Sequence, residues 1–370
     1  MSASTARVDL GAIIHNVAMV GDIAAPARVC AIVKADGYGH GSVPVARAAL
    51  EAGATSLGVA QVGEARELRV AGIAAPLLVL SELAHDEIDA ALAMELELVA
   101  HRPETIDALA GRATTLGVPP VPIHLKVDTG MRRVGCEPAE AADLAERIIA
   151  ATGLRLAGTM THLARADEPG VPATDHQLDR FDRVLDDLDS RGIDPGIRHA
   201  ANSAGAIAHE RARYDMVRVG IATYGIPPSP SMPGLPDLRP ALRWTSAVRH
   251  VKAVGAGESV SYGHRHTFER DTVVATVPVG YADGFRRRLG LAGGAVLIGG
   301  RPCPVVGVVT MDQFVVDCGP DATASVGDEV VLIGDQGSAR ITADDVAGLL
   351  DTIGYEVVCD ISSRVPRTYA

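Results

Sequence analysis

The chain has 370 residues, of which 47% are apolar, 22% charged and only 3% aromatic, so Ala, Val, Leu and Ile must build a core large enough for more than one domain. A formal net charge of −12 argues against a nucleic-acid or anionic-membrane partner, and five scattered cysteines without a CxxC pair argue against a disulfide framework or a metal site. No apolar run reaches membrane-spanning length and Met1–Arg7 lacks an apolar leader, so a cytoplasmic location is expected.

In chain order, a helix is expected from Asp9, as N-cap, to Gly21. Apolar runs then recur at 28–35, 57–60, 76–80, 96–100, 121–127, 154–161, 197–201 and 216–220. Between them lie helical patterns such as Val43–Ala52, Val62–Ala71, Pro138–Thr152 and Asp175–Arg191. Eight strands, each followed by a helix, predict an α/β fold of the closed (β/α)8 TIM-barrel type. The Pro-rich stretch Ile226–Pro236 reads as a linker. It divides the chain into a barrel with its N-terminal helix (1–235) and a C-terminal β domain (236–370). In the second part Val-rich segments at 242–254, 272–279, 295–299, 304–309, 314–318 and 329–333 predict strands, and Ala343–Ile353 predicts one helix.

Lys34 closes the apolar run Val29–Val33, where a long cation is costly unless it has a task. Desolvation favours its neutral amine, the form that Schiff-base chemistry requires, although a lone lysine at a strand end can also snorkel to solvent. In this fold active-site groups stand at the C-terminal ends of the strands, and the unusual polar residues gather there. Lys34 and Tyr38 end strand one. Lys126, Asp128 and Arg133 end strand five, where Lys126 and Asp128 could also form a plain salt bridge. Thr161 and His162 end strand six, His199, Asn202 and Ser203 end strand seven, and Arg218, Gly220 and Ile221 end strand eight. Ser203 opens a helix and Gly220 allows close backbone approach, a combination suited to a phosphate. With a buried lysine across the barrel, they suggest pyridoxal 5'-phosphate.

Several of these motifs resemble those of the alanine racemase family, over nearly the whole chain. The segment Lys34-Ala35-Asp36-Gly37-Tyr38-Gly39-His40-Gly41 is similar to its cofactor-lysine signature. Lys126–Met131 with Arg133, Arg218–Ile221 with Tyr224-Gly225, Val260–Gly263, Gly280–Gly284 and Met311–Gln313 match in order and spacing. The resemblance implies interconversion of L- and D-alanine, supplying D-alanine for peptidoglycan. It makes Lys34 the cofactor lysine and the base on one substrate face. Tyr262, donated by the second subunit of a homodimer with shared sites, becomes the base on the other. It further implies Arg218 at the pyridine nitrogen, phosphate contacts from Tyr38, Ser203, Gly220, Ile221 and Tyr355, and carboxylate contacts from Arg133 and Met311. Asn202 and His162 join the cofactor shell, His162 bridging the tyrosine to Arg218. Tyr281 and Tyr355 narrow the substrate access, Asp128, His199 and Asp312 support the site, and Lys126 corresponds to a lysine often carbamylated to N6-carboxylysine. Thr310 and Val308 depart from the family's common cysteine and arginine.

The chemistry suits these residue types. Racemisation needs one base on each face of the α carbon, and a lysine with a tyrosine supplies both. Arginine at the ring nitrogen donates and keeps that nitrogen from binding its own proton, which favours a racemase over an aminotransferase or decarboxylase. The alternatives are a racemase of the same fold acting on serine or lysine, and a pyridoxal-phosphate homeostasis protein, which would lack the β domain and Tyr262.

Overall fold

The computed structural model describes residues 4–370, so the first three residues of the Met1–Arg7 segment lie outside the described residues. The eight barrel strands are Arg28–Ile32, Ser56–Val59, Leu77–Val79, Glu97–Ala100, Val121–Lys126, Leu154–Met160, Ile197–His199 and Met216–Val219. Each lies within or one residue beyond its predicted apolar run. All neighbouring ladders are parallel, and Arg28–Ile32 pairs with both Ser56–Val59 and Met216–Val219. The ring closes through single hydrogen bonds, from Asp215 N–H to Arg198 O and from Arg218 N–H to Ala201 O, each 3.0 Å. Leu57, Leu77, Leu98 and Ile123 are fully buried, as continuous apolar strands covered on both faces must be.

Helices Ser42–Glu51, Val62–Val70, Ile88–Ala93, Pro103–Leu116, Ala141–Ala150, Ala173–Ser190 and Ser203–Ala208 follow the first seven strands. The eighth strand departs from the expected pattern. Only a 3-10 turn, Ile221–Tyr224, follows it, and Gly225 in the left-handed conformation (φ 74°) ends that turn before the prolines.

The preceding helix, Leu10–Ala24, starts where its cap predicts: Asp9 Oδ1 accepts the Ala12 N–H at 3.0 Å. Its buried Asn16 donates to Thr223 O (3.2 Å) and Arg239 O (2.8 Å) and accepts from Arg239 N–H (2.8 Å). One amide thus satisfies three backbone groups of the segment that leaves the last strand.

The chain forms two compact units. One comprises Ile13–Gly37 and Ser42–Arg239; the other comprises the N-terminal stretch to Ala12, Tyr38–Gly41 and Pro240–Ala370. The second is mostly β. Its main sheet runs His250–Val254, Thr272–Val277, Phe314–Gly319, Arg301–Val306, Ala295–Ile298, Glu329–Gln336, Leu242–Ala247, Ser4–Val8, Arg367–Tyr369. Ser4–Val8, from the start of the chain, pairs antiparallel with Leu242–Ala247 and parallel with Arg367–Tyr369. Phe285 stacks on Phe314 at 4.4 Å between centroids and meets Trp244 edge-on at 6.2 Å, giving this unit an aromatic centre. The helix predicted at Ala343–Ile353 spans Ala343–Leu350 behind a Thr342–Asp345 capping box, and a second short helix, Gly354–Cys359, follows. Among the described residues no helix is long and apolar enough to cross a membrane.

Replacing Asn16 with Ala strands those three backbone groups. The urea midpoint should fall by the equivalent of about 3 kcal/mol; a change below about 0.5 kcal/mol would show that water replaces the amide.

Candidate active site

Lys34 follows Val33 at the end of the first barrel strand, and the backbone then turns left-handed. Ala35, Asp36, Gly37 and Tyr38 have φ of 52°, 51°, 60° and 51° in succession. Three of these are not glycine, and each costs about 1 kcal/mol or more in that region. The surroundings hold the turn. Glu64 Oε1 accepts the Ala35 N–H at 2.7 Å, while its Oε2 accepts from Ala60 (2.7 Å) and Gln61 (3.1 Å) at the start of the Val62–Val70 helix. Asp36 Oδ1 accepts the Ser42 N–H at 2.8 Å, and Gly37 N–H donates to Val33 O at 2.9 Å.

Arg218, on the last strand, is buried (3% exposed), and it donates to lone pairs of imidazoles and carbonyls rather than to carboxylates. It donates to His199 Nδ1 (3.1 Å), His162 Nδ1 (3.2 Å) and the carbonyls of Thr161 (2.8 Å), Ala200 (3.1 Å) and His199 (3.1 Å). Burial lowers its pKa to about 10, so it remains a cation at neutral pH. The cation in turn keeps the imidazoles neutral. Burial and then Arg218 push His162 down to about 3, and burial, His124 and Arg218 hold His199 well below the usual range. A guanidinium cannot accept, so the His162 proton sits on Nε2. Gln177 fixes the His162 loop by donating to His162 O (2.9 Å) and accepting from Ala164 N–H (2.8 Å).

Ser203 Oγ accepts from the amides of Gly220 (3.0 Å) and Ala222 (3.3 Å), so the helix start after strand seven and the turn containing Ile221 share one hydroxyl. Asn202 is the N-cap of that helix, with Oδ1 taking the Gly205 N–H at 3.0 Å. Lys126 ends its strand and is buried. Burial first, then the charges of Arg218, Arg133 and Lys34, lower its pKa to about 8, against a small opposing effect of Asp128. The salt bridge considered for Lys126 and Asp128 is not formed among the described residues. Asp128 Oδ1 instead accepts the N–H groups of Gly130 (2.9 Å) and Arg132 (3.0 Å), shaping the loop that carries the exposed Arg133.

The remaining sequence-predicted residues belong to the β unit. Tyr38 and Tyr355 lie with ring centroids 6.2 Å apart. Tyr262 is 74% exposed on a 3-10 turn entered through Ser261 (φ 64°), whose hydroxyl donates to Val308 O at 2.8 Å. Tyr281 N–H donates to Thr310 O (3.0 Å) and Ala282 N–H to Met311 O (3.1 Å). A Cβ at Gly280 would stand 2.1 Å from Met311 O, so only glycine permits this approach. Asp312 pairs with Arg364 at 2.8 Å. Tyr262, Tyr281 and Met311 are thus three large exposed apolar side chains borne by linked turns.

Glu64, Gln177, Glu97 and His124 were not anticipated. His124 alone left a signal, an imidazole in the middle of the apolar run 121–127.

Profiles of two families match the chain, alanine racemase N-terminal domain over residues 8–228 and alanine racemase C-terminal domain over 241–369. The chain belongs to the alanine racemase family. It is 50% identical over 369 residues to the alanine racemase of Symbiobacterium thermophilum, covering 100% of this chain and 97% of that protein. It is 45% identical over 375 residues to that of Thermobifida fusca, covering 100% and 98%. Among solved structures, the alanine racemase of E. faecalis matches with a TM-score of 0.94 at 36% identity, covering 100% of this chain and 98% of that one. The Bacillus anthracis alanine racemase with bound L-Ala-P matches with a TM-score of 0.93 at 38% identity, covering 100% and 95%. The chain is therefore an amino-acid racemase with the fold of this family.

The Lys126 environment sets a pH expectation. A lowered pKa means that its amine is charged below pH 8 and neutral above it. With bicarbonate excluded, the 15N signal of Lys126 Nζ should titrate near pH 8; a midpoint at the ordinary lysine value of about 10.4 would contradict the buried, cation-ringed environment.

Proposed function

We propose that the protein interconverts L- and D-alanine with pyridoxal 5'-phosphate, and that it supplies D-alanine for peptidoglycan in the cytoplasm. The observation that carries this reading is Arg218, a buried cation whose neighbours are neutral imidazoles and carbonyls. The residues fit the cofactor. Lys34 stands at one strand end, Arg218 offers a permanent donor to an aromatic nitrogen, and Ser203 with the Gly220 and Ala222 amides forms a polar cup suited to phosphate. Tyr38, Ile221 and Tyr355 would complete that phosphate shell, with Asn202 fixing the helix start.

When bound, the cofactor supplies an aldehyde for amines and an electron-withdrawing ring that acidifies the substrate's α C–H. The chain supplies the proton traffic. Lys34 Nζ takes or returns the α proton on one face, and Tyr262 Oη of the partner subunit serves the other. A phenol is a weak base unless a neighbour stabilises its anion. His162 can do this, since its proton is held on Nε2 by Arg218 and its low pKa keeps it from competing for the proton. Arg133 and the Met311 backbone would hold the substrate carboxylate, and Tyr281 would narrow access. Lys126, a neutral amine at mildly alkaline pH, can take up carbon dioxide as a carbamate. The resulting anion would orient Arg133, and bicarbonate would then abolish the Lys126 titration. The exposure of Tyr262 supports a homodimer in which it enters the other subunit's barrel mouth.

The direct test is circular dichroism of L- and D-alanine, serine and lysine with the purified protein, joined to borohydride reduction. Alanine should racemise fastest, and the cofactor should become fixed to the Lys34 peptide. Recovery on Lys126 or Lys252, or no optical change with alanine, would overturn the reading.

Shared sites make a second prediction. Lys34→Ala and Tyr262→Ala homodimers should each be nearly inactive. Co-expressed, about half the dimers are hybrids with one intact site, restoring about a quarter of wild-type activity. Confirmed hybrids that stay inactive would place both bases on one chain.

A further inference from the structure

Behind Arg218 a line of polar groups runs down the barrel interior. Arg218 donates to His199 Nδ1 at 3.1 Å; His199 Nε2 lies 2.9 Å from His124 Nδ1; and His124 Nε2 lies 3.2 Å from Glu97 Oε2. His199 ends its strand, His124 is inside its own, and Glu97 begins a third, so the line passes from the C-terminal to the N-terminal ends of the strands. Both imidazoles are fully buried, and the Glu97 side chain is 19% exposed.

Every proton in this line is set from its two ends, by a guanidinium that has no lone pair and an ionised carboxylate that has no proton to give. His199 Nδ1 must accept, so the neutral ring carries its proton on Nε2. That proton points to His124 Nδ1, which must accept in turn. His124 therefore carries its own proton on Nε2, directed at the Glu97 carboxylate. The opposite arrangement would set a His199 Nδ1–H against an Arg218 N–H, donor facing donor. Glu97 is kept ionised for its part: burial raises its pKa, the His124 hydrogen bond and the charges of Arg155 and Arg28 lower it, and it lies below the ordinary value.

We propose that Glu97 is a positioning residue for racemisation, which, through His124, locks His199 in the tautomer that accepts from Arg218 and so fixes the guanidinium. The proposal rests on the role given to Arg218 above. It also accounts for two buried histidines and a carboxylate where apolar side chains of similar volume would fill the barrel at lower cost.

The test uses 15N-histidine-labelled full-length protein as purified, with imidazole 15N shifts and alanine kinetics read on the same samples. In the wild type both His124 and His199 should carry their proton on Nε2. Glu97→Leu should introduce a second tautomer at both rings and lower kcat about tenfold, with KM for alanine little changed. Glu97→Gln, whose amide oxygen can accept the same N–H, should restore the tautomers and bring kcat to within about threefold of wild type. Wild-type tautomers in a folded Glu97→Leu protein would overturn the proposal, and so would altered tautomers with unchanged kcat. Should Glu97→Leu not fold, a wild-type spectrum with the His199 proton on Nδ1 would overturn it alone. Loss of the racemase reading is a separate outcome, since it would appear as no turnover of alanine by the wild type while the tautomers still report on Glu97.

Discussion

Arg218 organises the barrel mouth because it is a buried cation surrounded by lone pairs and not by charge. Desolvating a guanidinium is expensive, and the structure offsets this with three carbonyls and two imidazole nitrogens. The consequences spread outward. His162 and His199 must stay neutral, their protons must face away from Arg218, and Lys126 must give up its proton more readily than a free lysine. Four basic side chains so close together would repel one another if all were charged. The arrangement leaves a fixed positive donor with neutral, hydrogen-bonded neighbours, a setting suited to an electron-rich aromatic nitrogen.

The Lys34 turn shows the opposite economy. Its backbone occupies the left-handed region over four consecutive residues, which isolated peptides avoid. Glu64 and Asp36 compensate with carboxylate–amide hydrogen bonds, charge-assisted and therefore stronger than neutral ones. The strained residues directly follow Lys34, and their support comes from Glu64 in the Val62–Val70 helix and from the Ser42 amide that opens the Ser42–Glu51 helix.

The strands were legible because a closed parallel barrel buries both strand faces, leaving unbroken apolar runs that end abruptly in polar residues. Lys34, Lys126, His162, His199 and Arg218 stood out as the polar residues ending such runs. What escaped the sequence depends on register across strands distant in the chain. Glu97 and His124 meet His199 only because their strands align, and no local spacing announces this. Ser4–Val8 escaped because a five-residue edge segment with Ser, Thr and Arg gives no clear period until its partners in the sheet are known. The last helix was expected by analogy with the other seven, but Gly225 and the prolines beyond leave room for a single 3-10 turn. Asp128, beside Lys126 in sequence, turned its carboxylate to its own loop, since nearby unsatisfied N–H groups compete for it.

Arg218 also permits the most direct measurement. Replacing it with Glu would let an aromatic nitrogen opposite it bind a proton, lengthening the interval between removal and return of the α proton. In an Arg218→Glu protein shown to be folded, racemisation of alanine should fall, and pyruvate formed per alanine racemised should rise by about tenfold or more. An unchanged rate with an unchanged pyruvate ratio would contradict the claim that this buried cation governs the site.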